Sequence, residues 1–328
     1  MTYRTSRRRA LQLGLAASLA APAIARAQQG WPAGPITWIN PFPAGGGTDV
    51  FARPLAAQVG DQLGVQILID NKGGAGGTVG ASQAAKMKPD GQTFLVGAVH
   101  HTIAPSIYKT LDYDLEKNFE PITMIALVPQ VISVNPNRVP AKTAAEFLVY
   151  VRANPGKVNY ASAGAGTAHH LAGELFKLET KTDIVHVPYR GAGPAMQDLL
   201  AGNADMMFDG MGTSAQQIKV NRLIGLAVAT PQRVPEFPDI PTAAEISVPN
   251  WIVSTWYGLW AIKGTPQPIV DRMYAETVKA MKAEKLQTIW KDQVAQAGGE
   301  SPAEFTKRIH GEIEKWRRVV DAAGVKLD

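Results

Sequence analysis

The sequence predicts an α/β protein of two domains with a ligand cleft between them. Three observations carry that expectation. Short β-branched runs alternate with helical stretches from Pro35 onward, glycine-rich turns recur where strand gives way to helix, and two apolar runs are too long for ordinary strands. The alternation is the pattern of a mainly parallel sheet flanked by helices. At 328 residues, 45% hydrophobic and 19% charged, the chain can bury two cores without disulfides or metals. It holds no cysteine, which excludes thiol nucleophiles, Cys-based zinc sites and structural disulfides.

The chain opens on MTYRTSRRRALQLGLAASLAAPAIARAQQ, a basic start, an apolar run from Ala10 to Ala23 and Ala25-Arg26-Ala27. This is an export signal with cleavage expected after Ala27. The run is shorter than the ~20 apolar residues a membrane-spanning helix needs. Ser6-Arg7-Arg8-Arg9-Ala10-Leu11 resembles a twin-arginine signal with Ala10 in place of the usual phenylalanine, so twin-arginine and Sec export both stay open. Five of the 33 basic residues fall in this segment and none of the 28 acidic ones, so the remainder carries 28 of each and no net charge. The basic balance of the whole chain belongs to the signal, and no basic stripe remains to argue for nucleic acid.

Strands are expected at 36–40, 65–69, 93–99, 122–134, 158–161, 184–188, 206–209, 223–229 and 253–262. Helices are expected at 49–63, 80–87, 143–154, 167–179, 194–201, 268–292 and 302–322. Ser301-Pro302-Ala303-Glu304 is a capping box with proline at the first helical position. Behind it Phe305, Ile309, Ile313, Trp316, Val319 and Val320 recur at helical spacing, so that helix lays one face on a core. The runs 122–134 and 251–262 exceed the usual five or six strand residues, so each is expected to pass between domains. That divides the chain into a first domain of 28–128 plus 253–328 and an inserted second domain of 129–252. Ligands of such pairs sit between the domains, outside the carboxyl ends of strands.

The first glycine turn, Pro41 to Asp49, lacks the lysine of a P-loop, and Val50 stands where a dinucleotide fingerprint needs its third glycine. What remains is general: glycines permit close backbone approach, and free N–H groups at a helix start favour an anion. The second turn, Ser162 to Thr167, adds two hydroxyls to another nest of N–H groups. One such turn per domain suits a ligand with a carboxylate at each end, or a phosphate ester. Loops 99–102 and 188–194 and the strand end at Asp209 complete the junctions; Arg190 reads as a carboxylate partner or as a solvated surface cation.

Histidines 100, 101, 169, 170, 186 and 310 include two adjacent pairs, but adjacent helical residues point apart, unlike the i, i+4 spacing of helical zinc ligands. His100 and His170 are expected to donate a hydrogen bond to a ligand or to cap and pack. No G-x-S-x-G is present, and Asp49 beside a helix start reads as a first-turn acid. No motif demands a reaction, and neither metal nor cofactor is expected.

In order and at their spacings, Pro41-Phe42-Pro43-Ala44-Gly45-Gly46-Gly47-Thr48-Asp49 with Arg53, Asn71-Lys72-Gly73-Gly74-Ala75-Gly76-Gly77, and 155–162 into Gly164-x-Gly166-Thr167 with His170-Leu171 form a specific set. Val187-Pro188-Tyr189-Arg190-Gly191 with 198–202, and 233–245, extend it. Through most of its length the chain resembles the Bug-type receptors of tripartite tricarboxylate transporters. The resemblance implies a type II periplasmic-binding-protein fold that closes on a small ligand, without enzymatic activity or cofactor, and hands it to membrane subunits or to a signalling partner. It implies a monomeric periplasmic receptor for di- or tricarboxylates, acidic amino acids or aromatic acids. It implies ligand contacts in the loops Phe42 to Asp49 and Ser162 to Thr167, with Asp209 near the cleft, and the expected contacts are Phe42, Ala44, Gly45, Gly46, Thr48, Asp49, His100, His101, Ser162, Gly164, Gly166, Thr167, His170, Tyr189 and Asp209. His100 and His101 stand where the family commonly has asparagine or a small polar residue, and Gly73 where it commonly has proline, which loosens a turn.

Overall fold

A computed structural model describes residues 30–327; the expected export signal and its cleavage point lie outside the described residues. The strands are β1 (Ile36–Asn40), β2 (Ile67–Asn71), β3 (Thr93–Ala98), β4 (Phe119–Val134), β5 (Asn159–Ser162), β6 (Val185–Pro188), β7 (Met206–Gly210), β8 (Ile224–Val228), β9 (Ser254–Ile262) and β10 (Gln296–Ala297). The sheet runs β2-β1-β3-β9-β4-β7-β5-β6, with β8 and β10 also on β4.

The sheet is less parallel than the sequence alternation suggests. β2, β1 and β3 pair in parallel, as do β6, β5 and β7, but the two triads are joined through antiparallel β9 and β4. Each triad with its helices forms one lobe. β4 is the longest bridge: Phe119–Pro129 pair with β9 in the first lobe, and Gln130–Val134 with β7 and β8 in the second. The run 251–262 also crosses, with its first three residues outside the strand. Trp251 donates its indole N–H to Ala172 O and Val253 bonds Ala229 O in the second lobe, before Ser254 joins β4 and β3 in the first.

Helices α1 (Gly47–Leu63), α2 (Thr78–Ala85), α3 (His100–Ile107), α4 (Leu115–Asn118), α5 (Ala144–Ala153), α6 (Ala168–Thr180), α7 (Ala192–Ala201), α8 (Met211–Lys219), α9 (Gln267–Met281), α10 (Glu284–Asp292) and α11 (Pro302–Ala323) cover the faces. α1 ends where Gly64 takes the left-handed conformation (φ 70°), and Val65 then bonds back to Gly60 O, which delays β2 to Ile67. The expected helix 268–292 is two helices, because Ala283 adopts extended backbone and begins α10 anew. The segment expected as a loop at 99–102 opens α3, and α4, α8 and β10 are further elements without a counterpart among those expected. The capping box forms: Ser301 accepts from Glu304 N–H while Glu304 accepts from Ser301 N–H. Phe305, Ile309, Trp316 and Val320 then bury one face of α11 against α3 and β4.

Candidate functional site

The carboxyl ends of β1, β3, β5 and β7 converge where the lobes meet, and a cavity lies there. It is walled by Phe42, Gly46, Gly47, Thr48, His100 and Tyr257 from the first lobe and by Ala163, Ala192, His169, Asp209 and Thr213 from the second. Its volume is about 10 Å³, the room of a single water molecule. The lobes touch around it: a Cβ on Gly46 would stand 3.5 Å from Gly193 N.

The first wall is shaped by Asp49. Its carboxylate accepts from Gly45 N–H at 3.1 Å, Arg53 Nε at 2.7 Å and Asn71 Nδ2 at 3.1 Å. Burial pushes this carboxyl up, but the hydrogen bonds from Arg53, Gly45 and Asn71 and the Arg53 charge outweigh it and hold it below its ordinary value. Asp49 is therefore spent on the turn and does not line the cavity, and neither do Ala44 nor Gly45, whose φ of 81° makes the bend. What the turn presents is the start of α1. Its N-cap, Gly46, offers no side-chain cap, so the first-turn N–H groups of Gly47 and Thr48 are left for another partner. Gly47 is sterically required there: an added Cβ would stand 2.0 Å from Tyr257 Oη. Phe42 packs edge-on against His100 with ring centroids 5.1 Å apart.

The adjacent histidines diverge. His100 lines the cavity and its Nδ1 accepts from Ala168 N–H at 3.1 Å, a bond between lobes that puts the imidazole proton on Nε2. Burial above all, then the neighbouring His169 and His101, hold His100 well below its ordinary pKa, so it is neutral. His101 lies outside the cavity, contrary to the expectation of a ligand contact. Its ring is buried against Trp260, and its Nδ1 shares a 2.9 Å hydrogen bond with Tyr113 Oη.

In the second lobe, Ser162, Gly164, Gly166, Thr167 and His170 build a turn and stand behind the cavity wall. Ser162 Oγ accepts from Gly164 N–H at 3.1 Å and contacts His186 Nε2 at 2.6 Å. Thr167 Oγ1 donates to Gly164 O and caps α6, and His170 Nδ1 accepts from Gly166 N–H at 3.2 Å. Ala163 is the member of this turn that reaches the cavity. Tyr189 also lies off it, its hydroxyl donating to Asp198 at 2.8 Å, and Arg190 is exposed. Asp209, by contrast, is fully buried at the end of β7. Its Oδ2 accepts from the hydroxyls of Thr213 and Ser214, and its Oδ1 lies 3.7 Å from His169 Nε2. Burial lowers the pKa of His169 despite the opposing Asp209 charge, and burial with that charge raises the pKa of Tyr257.

Of the expected site residues, the cavity gathers Phe42, Gly46, Thr48, His100 and Asp209. Gly47, Ala163, His169, Ala192, Thr213 and Tyr257 are additions. Tyr257 sits in a long apolar run without a local signal, whereas His169, paired with His170 at a helix start, could have been assigned from the rule that neighbours diverge. No lysine or arginine lines the cavity, and among the described residues no cluster of three or more metal-ligating side chains occurs.

A cleft of this kind, closed between two α/β lobes and entered by a bare helix start, defines a solute-binding receptor. Residues 51–325 match the tripartite tricarboxylate transporter family receptor, and the chain belongs to that family. It is 33% identical over 313 residues to Protein BugT of Bordetella pertussis, covering 95% of each chain. An R. palustris structure with adipate superposes with TM-score 0.87 at 32% identity, covering 90% of this chain and 99% of that one. MatC from Rhodopseudomonas palustris with bound malate gives 0.84 at 32% identity, covering 88% and 100%. The family and these neighbours are binding proteins. Among the described residues no helix is long and apolar enough to cross a membrane.

Proposed function

We propose that the protein is a periplasmic receptor that captures a small carboxylate by closure of its lobes and delivers it to the membrane subunits of a tripartite tricarboxylate transporter. The observation that carries this reading is the uncapped start of α1 opening into the cavity between lobes, where the N–H groups of Gly47 and Thr48 favour an anion without a cationic side chain. Adipate and malate, named with two structural neighbours, are both carboxylates, which supports the same class here. The moving parts are residues 28–128 plus 253–328 and residues 129–252, after cleavage near Ala27. The receptor works as a monomer, without cofactor or catalytic step. A ligand stabilises the closed state to the extent that it binds both lobes better than either one. Titration calorimetry against mono-, di- and tricarboxylates and uncharged solutes tests the reading. At least one carboxylate binds; if an uncharged solute binds and no carboxylate does, the reading fails.

A further inference from the structure

The two walls of the cavity differ in hydrogen-bonding sense. The first lobe offers donors: the first-turn N–H groups of α1, the Nε2–H of His100 and the phenol of Tyr257. The second lobe offers acceptors that nothing satisfies. Asp209 is 0% exposed; Thr213 and Ser214 occupy its Oδ2, while Oδ1 has no hydrogen-bond partner. His169, 4% exposed, brings Nε2 to 3.7 Å from that oxygen, and its Nδ1 is buried and likewise unpartnered. With the imidazole proton on Nε2, facing the carboxylate, Nδ1 is an acceptor. Buried polar atoms without partners are rare and costly, and here both belong to residues lining the cavity. The donor and acceptor walls are close together. Tyr257 Oη stands 2.0 Å from a Cβ placed on Gly47 and 3.8 Å from one placed on Gly210, so one hydroxyl separates the anion-holding turn from the strand end carrying Asp209.

We propose that the receptor selects short acids that carry a hydroxyl or ammonium group close to the bound carboxylate, and that Asp209 Oδ1 and His169 Nδ1 accept from that group. A second carboxylate at this place meets the charge of Asp209 and two unpaired acceptors, so unsubstituted dicarboxylates are disfavoured. A site built to bond a ligand O–H or N–H rejects the analogue that lacks it, because its buried acceptors stay unpaired.

This selectivity rests on the carboxylate-receptor reading, and calorimetry on the purified protein separates the two. The probes are matched triplets: propionate, lactate and alanine; succinate, malate and aspartate; glutarate, 2-hydroxyglutarate and glutamate. In at least one triplet the hydroxy or amino acid binds at least tenfold more tightly than the unsubstituted acid. A leading hydroxy acid identifies a hydroxyl as the donor, and a leading amino acid an ammonium. In Asp209→Asn the hydroxyls of Thr213 and Ser214 hold the amide oxygen and turn the NH2 into the cavity, so the preference falls at least tenfold and the unsubstituted acid gains. His169→Leu removes the second acceptor and lowers the preference without reversing it, and it decides the matter if the Asp209 variant does not fold. Equal binding within every triplet overturns the selectivity and leaves the receptor reading standing. An unchanged preference in both variants overturns the assignment to Asp209 and His169; if none of the nine acids binds, the selectivity is overturned, and the receptor reading falls with it only if an uncharged solute binds and no carboxylate does.

Discussion

His100 and His101 show how one residue's difference in position sets chemistry. His100 faces the cavity, with Nδ1 committed to Ala168 N–H across the lobes, whereas His101 is sealed in the first lobe's core with 1% exposure. Burial pushes the pKa of His101 down to about 4. In the unfolded chain it titrates near ~6.5, so the unfolded state binds the extra proton first as pH falls. The stability this depressed value contributes is complete above the unfolded pKa and is lost as pH drops through the folded one. The loss amounts to about 2 kcal/mol between pH 7 and pH 5. In His101→Phe the hydroxyl of Tyr113 loses its partner, at a pH-independent cost of about 1–3 kcal/mol. The variant's unfolding free energy should therefore be lower at pH 7 but flatter toward pH 5. Denaturant titrations at both pH values check this; parallel declines in the two proteins would refute the burial argument.

At the scale of elements, what the sequence revealed depended on whether a segment had a one-sided pattern. α11 has an apolar stripe and a capping box, so both its start and its buried face could be read. α3 has neither: its first five residues are all buried, and Pro105 lies inside it, so periodicity and propensity both argued for a loop. The site followed the same divide. The glycine turns and Asp209 end predicted strands, whereas Tyr257 is one apolar-looking residue in a buried strand and depends on tertiary packing for its place. Gly73 was read as loosening a turn, but an added Cβ there would stand 2.6 Å from the ring of Pro43, so glycine makes room for that proline.

The turn Ala75–Gly77 is another contact between lobes: Tyr108, which donates to Ala75 O at 3.0 Å within the first lobe, also reaches Ala165 O of the second at 3.4 Å, and Gly76 faces that second turn. A Cβ on Gly76 would stand 2.7 Å from Ala165 O, and its φ is 60°. Gly64 has a similar φ of 70° with nothing within 4 Å, which makes it the control. Either alanine variant should lose about 1 kcal/mol of stability from the left-handed backbone. Only Gly76→Ala should also weaken ligand binding, by roughly tenfold, because it alone wedges the lobes apart, a penalty of about 1.4 kcal/mol. Equal affinities in the two variants would show that this contact plays no part in closure.

For the whole molecule, the decisive quantity is the space between the lobes. About 10 Å³ admits one water and no organic acid, so a carboxylate can enter only after the lobes separate. β4 changes partners between Pro129 and Gln130, and the chain crosses back between Val253 and Ser254, so rotation can concentrate in two neighbouring segments while each parallel triad stays intact. The polar contacts between the lobes near the site include the Ala168 to His100 bond and the Tyr108 to Ala165 contact. On the proposed reading, opening exchanges those bonds for water, and a ligand that bonds both walls restores closure. Small-angle scattering then has a signed expectation. A compact chain of this size has a radius of gyration of about 19 Å. The ligand-free protein should exceed that value and contract on addition of a carboxylate that calorimetry shows to bind, while Gly76→Ala should contract less at the same saturation. Binding without any contraction would mean that the acid reaches a site other than the cavity between the lobes, and the clamp formed by α1 and Asp209 would have to be abandoned.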